Sequence, residues 1–151
     1  MDLVNRASSR VAIVVAMLVT LLSGCNVADQ YYEDVDNVGK QIVTDWKKLP
    51  EVADAAYTYR HGLDQGQILD LDVTLRDDTT SDEFVEQLLE TARRNYWLGT
   101  PQSVVIQVYL YAASDPPKKE PNDGTNAIRQ EKVTIDAAEL EKKYGPGPTK
   151  K

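Results

Sequence analysis

Few side chains in this sequence have the chemistry of a reactive site. Cys25 is the lone thiol and His61 the lone imidazole among 151 residues. A thiolate is the best side-chain nucleophile among these types, and Cys25 follows two small residues, Ser23 and Gly24, at the end of an apolar run. Carboxylates recur at Asp64, Asp70, Asp72, Asp77 and Asp78. Paired carboxylates can move protons or hold a hard cation such as calcium. A metal held by His61 with Asp64, Asp70 or Asp72 would have one imidazole and no sulfur, short of the usual zinc set. "DDTTSDE" lacks the spacing and the glycine of an EF-hand loop, and neither a nucleophile elbow nor a phosphate- or dinucleotide-binding loop occurs. The reading is therefore of a chain with no catalytic residue, metal or cofactor. In it His61 is a solvated turn residue, and the aspartates occupy the polar side of a strand and the turn that follows.

Tyrosine is the residue type that stands out. Tyr57 and Tyr59 are two apart in one segment, and Tyr109 and Tyr111 are two apart in another. If both pairs lie on the uncovered side of one sheet, they form an aromatic interaction surface. The alternative is that the phenols cap the core or pack beneath the C-terminal segment.

The elements that position these residues follow from hydrophobic periodicity. Val35, Val38, Ile42, Val43, Trp46 and Leu49 recur at three- and four-residue steps, which predicts a helix with one apolar face, ended by Pro50. Residues 51–78 read as a hairpin. Ala55, Tyr57 and Tyr59 share one face of its first arm, while Leu69, Leu71, Val73 and Leu75 alternate with polar residues in the second. Gly62 and Gly66 mark the connection. Thr80 and Glu83 have the spacing of a capping box before a second helix. That helix has Val85, Leu88, Leu89, Ala92 and Tyr96 on its buried side, and Gly99 as a left-handed stop. "SVVIQVYLYAA" predicts a third strand, with Val104, Ile106, Val108 and Leu110 on one face. Beyond Ala113 the chain turns polar and rich in Pro and Lys, with a possible edge strand at "EKVTID" and a short helix at "AAELEKKYG". The order α-β-β-α-β, with an optional extra strand, predicts an α+β two-layer sandwich with both helices on one face of the sheet. In element order, over about residues 35 to 112, it is similar to the small soluble domain of cation diffusion facilitators and to ferredoxin-like domains generally. That resemblance implies fold alone, because the membrane-spanning part of such transporters has no counterpart here.

The N-terminal segment reads separately. Arg6 and Arg10 precede a charge-free stretch of 12 residues, Val11 to Leu22. A membrane-spanning helix needs ~20 apolar residues, so this run has the length of a signal-peptide core. Leu22-Ser23-Gly24-Cys25 resembles the bacterial lipobox. The resemblance implies acylation of Cys25, cleavage before it, and anchoring on the extracytoplasmic side of a cell membrane. The expected divisions are a signal peptide at 1–24, a tether at 25–34, an α+β domain at 35–113 and a tail at 114–151. Two or three acyl chains hold stably, since each buried methylene contributes ~0.8 kcal/mol and one chain alone is marginal.

The whole chain carries 17 basic against 24 acidic residues, a net charge of −7. Removing 1–24 takes away Arg6, Arg10 and Asp2, which leaves 15 against 23 and a net −8. Such a surface repels nucleic acid and anionic headgroups. A lipidated Cys25 leaves no thiol for a disulfide, so stability must come from packing. The function this predicts is that of a non-enzymatic, lipid-anchored envelope protein that binds another protein or assembles with itself. The rival readings are a small-ligand or metal-binding lipoprotein built around Asp70, Asp72 and His61, and a hydrolase with a dyad assembled by folding.

Overall fold

The computed structural model describes residues 30–62, 66–78, 80–118 and 124–150, and the compact unit begins at Tyr31. The expected signal peptide and Cys25 lie outside the described residues. Helix α1 spans Glu33–Trp46, strand β1 Val52–Gly62 and strand β2 Gly66–Leu75. Helix α2 spans Asp82–Gly99, followed by β3 at Val105–Tyr111, β4 at Arg129–Lys132 and α3 at Ala137–Tyr144. The sheet order is β1-β2-β3-β4. β1 and β2 pair antiparallel, β2 and β3 pair parallel across the α2 connection, and β3 and β4 pair antiparallel. The chain is thus an α+β two-layer sandwich.

The core follows the predicted periodicities. Val38, Ile42 and Trp46 of α1 meet Val85, Leu88, Leu89 and Ala92 of α2 above Leu69, Leu71, Val73, Ile106, Val108 and Leu110 of the sheet. Trp46 is fully buried, and its indole N–H donates to the Leu88 carbonyl at 3.3 Å. A buried ring of that size needs its one polar atom satisfied.

Several local expectations change. The cap of α2 is Ser81, whose hydroxyl accepts from the Phe84 N–H at 3.2 Å, so the helix starts one residue later than the Thr80/Glu83 spacing suggests. Phe84 joins the predicted residues on the buried face. Gly99 has no positive φ and is not a left-handed stop. A Cβ there would collide with the Val38 side chain, so its smallness serves the approach of α1 to α2. Residues 124–150 pack against the rest of the described residues, since Val133 and Leu140 are buried and α3 packs on α2. Lys143 and Tyr144 both donate to Glu90, and the Trp97 indole donates to the Gly145 carbonyl at 2.8 Å.

Gly39 has a comparable role on the sheet side of α1. A Cβ at this position would lie against the Tyr57 ring, closer than real Cβ contacts come. Overpacking of this kind costs about 1–3 kcal/mol, while Gly to Ala in a helix interior gains about 1 kcal/mol. Gly39→Ala is therefore expected to lower stability despite its better helix propensity. Urea unfolding should show a lower midpoint with an unchanged slope.

Candidate functional site

The four tyrosines do not form one patch. Tyr57 and Tyr59 pair with Leu71 and Leu69 and point to the helix-covered face, where the Tyr57 hydroxyl donates to Asp36 at 2.9 Å. Tyr109 and Tyr111 sit opposite Asp72 and Thr74 on the other face of the sheet. They are not exposed there, with Tyr109 at 8% and Tyr111 at 0% relative exposure. The described part of the segment after β3 meets this face, with Gly124 against the Tyr109 ring. It is tied down by Asn126, which donates to the Asp115 and Pro116 carbonyls at 2.9 and 2.8 Å, and by Ser114, whose hydroxyl donates to Asp78 at 2.7 Å. The parity of each strand was legible in the sequence. Which parity faces the helices was not, because that depends on how the helices pack.

On this face Asp70 and Asp72 are buried, at 3% and 6% exposure, where a solvated polar face was expected. Arg60, diagonally across the β1–β2 pair, donates from Nε to Asp70 Oδ2 at 2.6 Å. The other oxygen of Asp70 is buried without a hydrogen-bond partner. Tyr111 donates to Asp72 at 3.4 Å, and the Tyr109 hydroxyl donates to Gln107 at 2.5 Å. Burial, and next to it the charge of Asp70, push the Tyr109 phenol above its ordinary pKa. The arrangement is a buried polar layer on the sheet face away from the helices, with Arg60 paired to Asp70. The sequence signal was Arg60 two strand positions from the turn that pairs it with Asp70.

His61 is in β1, opposite Gln67, and not in a solvated turn. Its ring lies 5.0 Å from that of Tyr59 and 5.4 Å from that of Tyr31, a cluster at the point where the chain enters the domain. It shares the helix-covered face with Tyr59, so the sheet itself separates it from Asp70 and Asp72. A metal site joining the three is geometrically closed, and Asp64 lies outside the described residues. Among the described residues no three His, Cys, Asp or Glu side chains converge as metal ligands. Compared with models of protein families, with curated proteins and with solved structures, the chain matches none.

Two outcomes follow from these pairs. Removing the cation from a buried carboxylate costs about 3–5 kcal/mol, and the 35% exposure of Arg60 puts this pair at the low end. Arg60→Gln should lower unfolding free energy by about 3 kcal/mol, and Arg60→Gln with Asp70→Asn should recover much of it in a denaturation cycle. Lys40, bonded at 2.6 Å, and then Tyr57 hold the Asp36 carboxyl below its ordinary pKa against the opposing effect of burial. A depressed carboxyl stabilises the fold fully above the unfolded value of ~3.9, and that contribution is lost as pH falls through the folded value. Asp36→Asn should therefore flatten the acid limb of stability against pH while changing the neutral slope little.

Proposed function

We propose that this chain is an extracytoplasmic lipoprotein, anchored to a cell membrane through acyl chains on Cys25, whose α+β domain is a non-catalytic module for binding another protein or a second copy of itself. The observation that carries the reading is Leu22-Ser23-Gly24-Cys25 placed at the end of a 12-residue apolar run behind Arg6 and Arg10. Each part has a physical role. The short apolar run engages the export machinery without the length of a stable span. Ser23 and Gly24 leave the backbone open to a peptidase, and the thiol accepts the lipid.

The start of the compact unit at Tyr31 is consistent with this arrangement. The six steps from Cys25 to Tyr31 reach at most ~20 Å when extended, so an anchored domain would stay close to the headgroups. The net charge of −8 left after cleavage would keep it from lying flat on an anionic surface. Tyr31, 49% exposed, would be nearest the lipid.

Binding, as opposed to catalysis, is supported by how the polar groups are used. Arg60 is committed to Asp70, Asp78 to Ser114, and Asp36 to Lys40 and Tyr57. These are the pairings of a structural framework. Metabolic labelling with a palmitate analogue is the test of the anchor. The wild-type chain should take up label and partition into detergent, while Cys25→Ala should accumulate as unlabelled precursor. Persistent labelling of Cys25→Ala would overturn the assignment.

A further inference from the structure

The two edges of the sheet are built differently. β4 is four residues long, Arg129 to Lys132, with three charges in that length. Short, charged strands are how sheets blunt an edge against pairing. β1 has 11 residues, no proline, and β2 as its only strand partner among the described residues. Its irregularity is confined to the start, between Val52 and Asp54.

The pairing pattern shows which groups the edge presents. The Arg76 N–H donates to the Glu51 carbonyl at 2.8 Å, which makes Val52 and Leu75 a non-hydrogen-bonded pair. One bulge later Asp54 is turned inward to Thr74, and the alternation then turns Ala55, Tyr57 and Tyr59 outward. The Asp54 carboxylate accepts the Ala55 N–H, as an outward amide allows, and also pairs with Lys47 at 2.9 Å.

We propose that this edge pairs with the same edge of a second copy, antiparallel and centred on Tyr57, so that the two sheets continue as one. The proposal deepens the self-assembly arm of the function proposed above by naming its surface and its partner. The sequence of β1 is self-complementary in this register alone. Position i meets position 114 − i, so Asp54 lies opposite Arg60 of the second copy, twice by symmetry. Both residues are on the face away from the helices and in non-hydrogen-bonded pairs, where cross-strand side chains come closest. Arg60 uses Nε for Asp70 and remains 35% exposed. Ala55 meets Tyr59 of the second copy, a small residue beside a large one. The outward pairs at 55, 57 and 59 supply about six main-chain hydrogen bonds, two of which require the Asp54 carboxylate to leave the buried Ala55 N–H as it turns to Arg60 of the second copy.

The charge balance is local to this edge. Asp36 with Lys40 and Lys47 with Asp54 neutralise its α1 flank, on a chain whose net charge is −7. A shift of the centre by one residue in either direction would set Asp54 against Thr58 or Gly62 and lose the ion pair, and a half-residue shift would bring together residues from opposite sides of the pairing alternation. An isologous two-fold contact of this kind is the commonest way for a soluble chain to pair.

The register gives a direct test on the full chain, purified in detergent. Ala56 is exposed and Thr58 half-exposed, both on the face away from the helices, and the register sets each against the other across the two-fold. Two differently tagged chains, Ala56→Cys and Thr58→Cys, are co-expressed and oxidised with copper phenanthroline. A mixed covalent dimer is expected, with neither variant alone exceeding the wild type. Adding Asp54→Lys to both chains should abolish it by placing Lys opposite Arg60, and unmodified wild type should sediment as a dimer. Absence of the mixed dimer, a self-dimer of Ala56→Cys, or a wild type that sediments as a monomer would overturn the proposal. The anchor reading fails separately. A Cys25 that carries no lipid would show as thiol-dependent dimer in oxidised wild type and as absent acyl label, whatever positions 56 and 58 report.

Discussion

Strand β2 is the constraint on which the rest of this structure depends. It lies between β1 and β3, and Leu69 through Val73 are buried without a break, so both of its faces must be covered. The leucine and valine positions are met by α1 and α2, a demand that the hydrophobic effect satisfies without directional requirements. The aspartate positions are different. Burying a carboxylate is costly unless it is paired and hydrogen-bonded. Arg60 on the neighbouring strand and Tyr111 on the other side supply those partners.

This central strand also explains the division of labour along the chain. The segment from Ala113 to Ile128 would be a polar linker on composition, yet Gly124 lies against the Tyr109 ring and the Ile128 N–H donates to the Leu110 carbonyl at 2.8 Å. Tyr109 and Tyr111, on the sheet face away from the helices, are interior. The helix layer is held as closely. Gly39 and Gly99 remove side chains where α1 meets Tyr57 and where α2 meets Val38, and larger residues would force the layers apart. Asp45 of α1 accepts from Asn95 of α2 at 3.0 Å, and Thr100 donates to Asp34 at 2.6 Å. The two helices are thereby joined by polar contacts at both ends of their shared seam.

Among the described residues, the long side of β1 has no strand partner. A sheet edge has an intrinsic affinity for another strand, and side chains decide whether the affinity is suppressed or directed. On β4 the short length suppresses it. On β1 the placement of Asp54 and Arg60 about Tyr57 would give it direction in the pairing proposed above. An anchored chain is confined to a plane, which raises the local concentration of copies relative to one another, so even a modest edge-to-edge contact would be populated there.

The sequence by itself determined the elements and their internal parity. Three- and four-residue steps from Val35 to Trp46 and strict alternation from Leu69 to Leu75 are local properties, and a helix or strand must bury its apolar side. It also determined the N-terminal pattern ending at Cys25, which depends on residue type and order alone. Tertiary structure decided what local pattern leaves open. It put Tyr57 and Tyr59 under α1 and Tyr109 and Tyr111 on the opposite face, although all four occupy similar alternating positions. It moved His61 from a turn into β1, among aromatic rings, and turned Asp70 and Asp72 from surface residues into a buried layer. In each case the deciding partner is distant in sequence, as with Gly124 over Tyr109 and Tyr31 beside His61, and such contacts leave no periodic signal in the chain.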